Sequence, residues 1–527
     1  MHHLTSSLII LLASIAACGG NPATPAIDAN PAIDGSTPIP VDAPVDGGTP
    51  EQACADGADD DGDGYTDCDD LDCVAATSCA GSCPVIPTPA TVLDRPLPDE
   101  AVLGTFESVT AGSFHDEYLF NGSKQLKVGV RREWGGTIVF FGQHTGAQGM
   151  NASNVIDAND TGREVQVAFY DRDRAMQNCA WNQSCVTTPT TCPFSITYLG
   201  WNPVQGGNRC NRGSGVEAVS SQAGVLSVTT LPLFWNPNWD RADCVEQACS
   251  DPALNMRRSD VRVTQTLRFV REHVVELEYV VTNLTATSHA PTIQEFPTIY
   301  PSNGGNGTQD LWRLFNSAGA EVAIDVPAND GFNVRDFTSP AGWVTMQNSA
   351  LNYGVGLYNE SRETSWQGWQ QRALPFNNFR PQLEFGIPAL GTVRGRSYLL
   401  LGSQSTISSE AQWLDANLAP FGVLDAPVAN AALAGVVEVR GWALDNKGIS
   451  SMQLRIDRQT TVPLTYGDQR PDVCAVWPGY PACTAVGYHG TVDAGTLTAC
   501  AHLFEVVAVD TDGNSRVIAR RRVTVAP

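Results

Sequence analysis

Two charged residues in the middle of the chain have surroundings that suit chemistry. Glu295 precedes Pro297 in a mostly apolar run, where burial would raise its pKa and make it a general acid or base. Arg163 opens a run of alternating residues and can clamp a carboxylate or a pair of hydroxyls. The alternatives are a solvated strand-edge carboxylate and a structural salt bridge. These two residues are the catalytic candidates.

Amide and aromatic side chains recur around these two residues. Flat aromatic rings stack on the apolar faces of sugars, and planar amides pair with their hydroxyl rims. Ten of the twelve tryptophans fall between residues 101 and 420, including two in the cluster 366–371. Core packing is the alternative for each tryptophan. The substrate-binding candidates are Gln166, Tyr170, Gln205, Gln294, Trp134, Trp201 and Trp235.

Established catalytic motifs are absent from the sequence. It contains no Gly-x-Ser-x-Gly, no His-Glu-x-x-His and no phosphate-binding loop. Six cysteines between residues 179 and 249 are expected to form loop disulfides, and zinc is the weaker interpretation because no Cys-x-x-Cys pair occurs. Whether the protein is an enzyme at all therefore stays open.

An acidic loop near residue 60 predicts bound calcium. Its oxygen-bearing residues follow the spacing of an EF-hand loop, with Gly64 at the sixth position, although the last position is Asp rather than Glu. Cys54, Cys68 and Cys73 bracket the loop where helices would otherwise flank it. A solvated acidic linker is the alternative. The predicted ligands of this structural Ca²⁺ are Asp59, Asp61, Asp63, Tyr65, Asp67 and Asp70.

The first eighteen residues resemble a bacterial lipoprotein signal. An apolar run over 8–17 is too short to span a bilayer, and it ends in small residues before Cys18, the expected lipidation site. An ordinary cleaved signal is the alternative. Gly19 in place of Asp favours the outer membrane under the enterobacterial rule. The expected location is the cell envelope, with the lipid anchor as the only membrane contact.

Composition supports export and excludes some partners. A formal net charge of −24 argues against binding to nucleic acid, because the phosphates would repel the chain. Fifteen cysteines leave fourteen after Cys18, an even number that suits disulfides in an oxidising compartment. Cys474 and Cys483 are close enough in sequence to close a loop, whereas Cys500 has no obvious local partner.

The elements that position these residues are predicted to be strands. Apolar and polar residues alternate in many runs, turn signals separate them, and no βαβ rhythm is visible. The expected fold is all-β: a large antiparallel supersandwich, then a small immunoglobulin-like sandwich, after an N-terminal disordered tether. The expected segments are 1–18 (signal), 19–50 (linker), 51–83 (calcium segment), 101–420 (supersandwich) and 424–527 (immunoglobulin-like domain).

Three segments resemble known families. The calcium segment is similar to Cys- and Asp-rich repeats of myxobacterial surface proteins and, more loosely, to thrombospondin calcium repeats. The last hundred residues look like bacterial immunoglobulin-like domains, with 441–445, 466–473 and 509–514 carrying the likeness. In the middle segment, the order of the runs 132–138, 154–157, 161–170, 201–207, 235–239 and 294–297 resembles that of galactose-mutarotase-like supersandwiches, which handle sugars. The resemblance implies that, if the protein is an enzyme, it is a carbohydrate hydrolase, lyase or epimerase.

Two functions are therefore expected as alternatives. In the first, a surface lipoprotein binds a glycan or polysaccharide through its central sandwich and processes it there. In the second, the sandwiches form a non-catalytic adhesion or scaffold lipoprotein. A single cleft that gathers Arg163, Gln166, Gln205 and Glu295 would favour the first, and burial of these groups in scattered pairs would favour the second.

Overall fold

The structure is a computed structural model, and it describes most of the chain beyond residue 103. The described residues are 53–56, 73, 76, 104–144, 150–170, 203–208, 210–234, 256–324, 333–362, 365–372 and 376–525. The signal with Cys18, the linker and the predicted calcium ligands lie outside these residues.

Strands dominate the described part, as the alternating sequence predicts. In chain order they are β1 (Phe106–Ala111), β2 (Phe114–Phe120), β3 (Leu126–Arg131), β4 (Thr137–Gln143), β5 (Val165–Ala168), β6 (Pro203–Val204), β7 (Gly215–Gln222), β8 (Val225–Leu231), β9 (Leu233–Phe234), β10 (Val261–Arg271), β11 (Val274–Asn283), β12 (His289–Ile299), β13 (Arg313–Asn316), β14 (Asn333–Phe337), β15 (Trp343–Gln347), β16 (Gly354–Asn359), β17 (Ser365–Gln371), β18 (Phe376–Ile387), β19 (Thr392–Gly402), β20 (Phe421–Ala426), β21 (Ala432–Leu433), β22 (Val436–Leu444), β23 (Ile449–Ile456), β24 (Thr460–Asp468), β25 (Gly487–Asp493), β26 (Ala501–Asp510) and β27 (Ser515–Val525).

Helices are few and short. They are α1 (Met150–Ser153), α2 (Gln404–Asn417) and α3 (Pro471–Val476), with 3-10 turns at Arg132–Trp134, Gly305–Gly307 and Ala494–Thr496. The sequence did not predict α2. Its N-cap is Ser403, whose hydroxyl accepts the backbone N–H of Thr406 at 3.1 Å. Ile407 and Leu414 bury its inner face.

Two large sheets form the predicted supersandwich. The first has eleven strands in the order β1-β2-β3-β4-β5-β12-β18-β17-β14, with β6 paired to β5 and to β9. The second has eight, in the order β13-β15-β16-β19-β11-β10-β8-β7. One core lies between them, with Val167 and Phe296 from the first sheet and Leu277 and Leu399 from the second. All the ladders within the two sheets are antiparallel, so the predicted all-β antiparallel class is confirmed.

The C-terminal strands form a third sheet that wraps around its own core. Its order is β20-β22-β25-β24-β23-β26-β27-β21, and only the short β21–β27 pair is parallel. Apolar residues such as Val439, Leu454 and Phe504 fill its interior. The order brings the first strand, β20, into contact with β27, so the sheet closes on itself as a small sandwich.

The third sheet packs against the supersandwich through specific contacts. The hydroxyls of Tyr398 and Tyr480 donate to opposite oxygens of the buried Glu360 carboxylate, at 2.6 and 2.5 Å. Ser361 donates to the carbonyl of Pro478 at 2.8 Å. Buried polar groups need such partners, so the contacts fix the position of the loop that follows α3.

Two disulfides are described completely. Cys54 and Cys73 are bonded, with Cα atoms 5.4 Å apart, and they enclose the stretch that contains the predicted calcium loop. Cys474 and Cys483 are bonded as well, which confirms the predicted loop closure. Cys210 and Cys500 are also in disulfides, whose partners lie outside the described residues.

Candidate functional site

The first sheet has one face towards the core and one polar face. On β5, Val165 and Val167 point into the core, and so Gln166 points to the opposite face. Tyr170, two residues beyond β5, continues the same alternation. We call this outer surface of β5, β12, β18, β17 and β14 the polar face.

Glu295 lies on the polar face beside β5. It is opposite Ala168 in the β12–β5 ladder, and a register shift follows before Thr298 meets Gln166. The whole residue Glu295 is only 4% exposed to solvent. Oε1 accepts the Tyr170 hydroxyl at 2.6 Å and lies 2.5 Å from Nη1 of Arg380 on β18. The buried charge is therefore paired on two sides.

Arg380 extends this network towards the edge of the sheet. Its Nη2 donates to the amide oxygen of Gln367 on β17 at 2.5 Å, and the same oxygen accepts the indole N–H of Trp369 at 2.5 Å. Gln367 in turn donates to Asp336 on β14 at 2.6 Å. We call the chain Tyr170–Glu295–Arg380–Gln367–Asp336 the polar row. The polar row crosses the end of β5 and the strands β12, β18, β17 and β14. It contains the buried carboxylate of Glu295 and ends at the exposed carboxylate of Asp336.

Electrostatics keep the hydroxyl of Tyr170 protonated. Burial raises its pKa well above the ordinary value, and the neighbouring Glu295 charge raises it further. Burial alone would lower the pKa of Arg380, but the charge of Glu295 and the nearby tyrosines hold it above its usual range. Tyr170 is thus a hydrogen-bond donor and Arg380 a fixed cation.

Arg163 lies at the side of this row. Its guanidinium is 5.9 Å from the ring of Phe376 and 3.4 Å from Asp160. The Phe376 ring is edge-on to Tyr300, 5.5 Å away. The contacts of Arg163 are therefore with Asp160 and Phe376, whereas those of Glu295 are with Tyr170 and Arg380. These contacts hold the two candidates in separate pairs and do not gather them in one cleft.

Acidic groups surround Arg163. Burial raises the pKa of Asp157 to about 6, against the attraction of Arg163, and Asp157 accepts a hydrogen bond from Asn303 at 2.9 Å. Burial also raises the pKa of Glu164 well above its usual value, with Asp160 adding to the effect. Glu164 accepts the backbone N–H of Gly162, which only partly offsets these effects.

Two of the predicted glutamines, Gln166 and Gln294, form hydrogen bonds with backbone groups of neighbouring segments. Gln166 accepts the N–H of Gly206 at 2.9 Å. Gln294 accepts the N–H of Tyr170 at 2.6 Å and donates to its carbonyl at 3.1 Å, which fixes the residue after β5. Gln205 is fully buried, and its side-chain amide has no hydrogen-bond partner within the described residues.

Trp134 lies elsewhere. It is almost fully buried in the turn before β4, with its ring 5.3 Å from Phe114 and beneath the guanidinium of Arg131. The structure thus places it away from the polar row. Trp201 and Trp235 lie outside the described residues, as do Asp59, Asp61, Asp63, Tyr65, Asp67 and Asp70, so these roles stay predictions.

Sequence reasoning missed Arg380, Gln367 as its partner, and Asp336. The cluster 366–371 was noted for its tryptophans, and alternation separates them: Trp366 is in the core and Trp369 is on the polar face. The same alternation along β18 places Arg380 opposite to Phe379, which is a core residue. This alternation along β18 is the sequence signal that could have identified Arg380 as a residue of the polar face.

The described residues contain neither a membrane-spanning helix nor a metal-binding cluster of side chains. None of the helices there is long and apolar enough to cross a membrane. No group of three or more His, Cys, Asp or Glu side chains in that part of the chain is arranged to hold a metal ion.

Comparison with known proteins gave structural likenesses only. No family model matches the chain, and no curated protein matches it. Among solved structures, a putative aldose 1-epimerase from Escherichia coli K12 is 11% identical with a TM-score of 0.31, covering 57% of this chain and 99% of that one. A GalM/aldose epimerase homologue from C. elegans is 8% identical with a TM-score of 0.33, covering 57% and 99%. A putative aldose 1-epimerase from Klebsiella pneumoniae is 11% identical with a TM-score of 0.34, covering 59% and 88%.

Proposed function

We propose that this protein binds a carbohydrate on the polar face of its first sheet. The observation that carries the proposal is the polar row, in which a buried carboxylate, a guanidinium and an amide are linked across adjacent strands. Such a network is costly to bury and adds nothing that apolar residues could not supply to the fold. Its composition suits a ligand rich in hydroxyl groups.

Glu295 retains an acceptor for a ligand. Its contacts with Tyr170 and Arg380 both use Oε1, and no described residue donates to Oε2. A carboxylate oxygen accepts strong hydrogen bonds from neutral hydroxyls. Oε2 is therefore the atom that we assign to a sugar hydroxyl, while Tyr170 and Arg380 hold the carboxylate in place.

Half-buried aromatic side chains lie along the same face. Tyr170 belongs to the polar row and is partly exposed, as are Tyr300, Phe376 and Trp369. Trp369 donates its indole N–H to Gln367 of the row, and Tyr300 contacts Phe376. Sugar rings bind to such surfaces through their apolar faces, while adjacent polar groups fix orientation. The combination favours a sugar over a purely apolar ligand, which would leave the row without partners.

The cellular setting is part of the proposal. We assign the chain to the cell envelope, with Cys18 lipidated and the anchor as the only membrane contact, on the strength of the signal-like first eighteen residues. The Cys54–Cys73 disulfide closes a loop around the Asp-rich stretch, which supports a Ca²⁺-stiffened segment after the linker. The glycan would then be bound outside the cytoplasm.

The test is glycan binding by the full-length, detergent-solubilised protein on an array of neutral and acidic polysaccharides, with a depolymerisation assay in parallel. Glu295→Gln keeps the shape and removes the charge, and Trp369→Ala removes one aromatic platform. Each should weaken binding at least tenfold, since a lost charge-assisted hydrogen bond is worth about 1.5–3 kcal/mol.

The matched control is Glu276→Gln. Glu276 is equally buried and paired with Arg268 at 2.7 Å, but it lies on β11 of the second sheet. It should reduce stability without reducing glycan affinity. Binding unaffected by Glu295→Gln and Trp369→Ala, or no binding by a folded sample, would reject the proposal in favour of an adhesion or scaffold role.

A further inference from the structure

A second cleft opens at the end of the supersandwich, away from the polar row. It lies where β4 leaves the first sheet and the β15–β16 turn of the second sheet approaches it. Its volume is about 430 Å³, which is within the range of small-molecule sites. The lining residues are Gln143, Ala152, Ser153, Gln309, Asn348, Asn352 and Tyr353.

Hydrogen bonds between the two sheets hold the walls of this cleft. The hydroxyl of Tyr353, next to β16, donates to the carbonyl of Ser153 at 2.8 Å. Ser153 in turn donates to the carbonyl of Gln143 at 2.9 Å. Burial raises the pKa of Tyr353, so its ring is a fixed, neutral wall.

The side chains that line the cleft are neutral and have hydrogen-bonding capacity left. Asn352 uses its oxygen to accept from Asn348 at 2.7 Å, which leaves its N–H groups available. Gln309 donates to the carbonyl of Ala152, which leaves its oxygen available. The exposed side-chain amide of Gln143 makes no hydrogen bond to another described residue.

We propose that this cleft is a second carbohydrate site, which takes a neutral sugar unit. Paired amide donors and acceptors match vicinal hydroxyls, and the Tyr353 ring supplies an apolar wall. An anionic sugar would find no cation among the described lining residues, and an apolar ligand would desolvate the amides without replacing their hydrogen bonds. The inference stands on this cleft and not on the polar row.

The test uses the full-length protein carrying Glu295→Gln, so that the polar row does not contribute. Calorimetric titration with cellotetraose, xylotetraose, mannotetraose and maltotetraose, and with tetragalacturonate, measures the remaining site. At least one neutral tetrasaccharide should bind with one site per chain, and tetragalacturonate should not. Adding Gln143→Ala or Asn352→Ala should weaken that binding at least tenfold.

Gln222→Ala is the matched control, because Gln222 is an exposed glutamine on β7, at the far edge of the second sheet. It should leave the affinity unchanged. The inference is overturned if no neutral tetrasaccharide binds a Glu295→Gln protein that thermal unfolding shows to be folded, or if the cleft variants bind as well as the control. Because the proposed polar-face site is tested in the protein with an intact cleft, the two proposals fail separately.

Discussion

At the scale of single residues, the pair of Glu295 and Arg380 lies at the centre of the proposed binding site, and breaking the pair would destabilise the fold. The two side chains are 5% and 14% exposed and lie 2.5 Å apart on neighbouring strands. A charge of this kind is tolerated away from water only while its partner remains. Either residue alone is therefore a liability to the fold.

Arg380→Met should destabilise the protein by about 3–5 kcal/mol, because it leaves the Glu295 carboxylate buried without its cation. The double variant Arg380→Met with Glu295→Gln should recover part of this loss. Urea unfolding of the four proteins in the cycle measures the coupling.

The control is Arg262→Met, which breaks the more exposed pair of Arg262 and Glu217. This substitution should lower the free energy of unfolding by at most about 1 kcal/mol. Equal losses in Arg380→Met and Arg262→Met would contradict the argument.

The sequence predicted one member of this pair and missed the other for a physical reason. Glu295 stands out because it is a charged residue followed directly by Phe296 and Pro297. Arg380 stands out only once β12 and β18 are known to be neighbours, and their order follows from pairing between distant segments. Trp134 is buried against Phe114, and residue type alone does not distinguish a packed ring from a stacking ring, so its binding role stays a prediction.

At the scale of elements, the turn between β3 and β4 joins the two sheets. Gly135 and Gly136 have φ of 67° and 71°, which favours glycine. Their carbonyls accept the hydroxyl of Thr230 at 2.6 Å and the amide of Gln265 at 3.1 Å, both from the second sheet. A Cβ on Gly135 would lie 1.8 Å from the carbonyl oxygen of Gln205.

Gly135→Ala should therefore push away the 203–208 turn that packs on Gln166 and weaken glycan binding along with stability. We expect a loss of about 1–3 kcal/mol from overpacking in addition to the backbone strain. Thermal unfolding and glycan titration measure the two effects. Gly112→Ala has the same sign of φ, 64°, but open space around its Cβ, so only the strain should appear. Identical behaviour of both variants would refute a role for the contact.

The sequence predicted those elements that have a clear alternation of apolar and polar residues. It failed where packing against other elements determines the structure. The alternating runs around residues 128, 228, 264 and 277 are β3, β8, β10 and β11. The helix α2 was missed because its inner face has only Ile407, Ala411 and Leu414, a weak apolar pattern that packing against the second sheet stabilises. Sheet order could not be derived, since no local signal encodes which distant strands pair.

At the scale of the whole molecule, the contact between the supersandwich and the third sheet contains buried carboxyl groups. Oδ1 of Asp445 accepts the backbone N–H groups of Lys447 and Gly448, at 2.7 and 3.1 Å, whereas Oδ2 has no partner among the described residues. Burial raises the pKa of Asp445 to about 7, with the charges of Asp510 and Glu360 adding to it. The pKa of Glu360 is raised as well, chiefly by burial.

These raised pKa values fix the sign of the pH dependence. An unfolded aspartate releases its proton near pH 3.8, whereas folded Asp445 keeps it until about pH 7. Between these values the folded state binds more protons than the unfolded state. The contribution of Asp445 to the free energy of unfolding therefore falls as pH rises through this window and stays constant above it.

Asp445→Asn should remove this dependence, because an amide does not titrate and can place its N–H₂ where Oδ2 lacks a partner. The variant should match the wild type near pH 4 and exceed it in unfolding free energy by a few kcal/mol above pH 7, since one pKa unit corresponds to about 1.4 kcal/mol. Urea unfolding at pH 4, 5.5, 7 and 8 measures the difference. Glu438→Gln changes an exposed carboxylate on β22, the strand that precedes Asp445, and should give a flat difference over the same range. If the Asp445→Asn difference is equally flat, burial of a proton at this contact is not what couples the stability of the protein to pH.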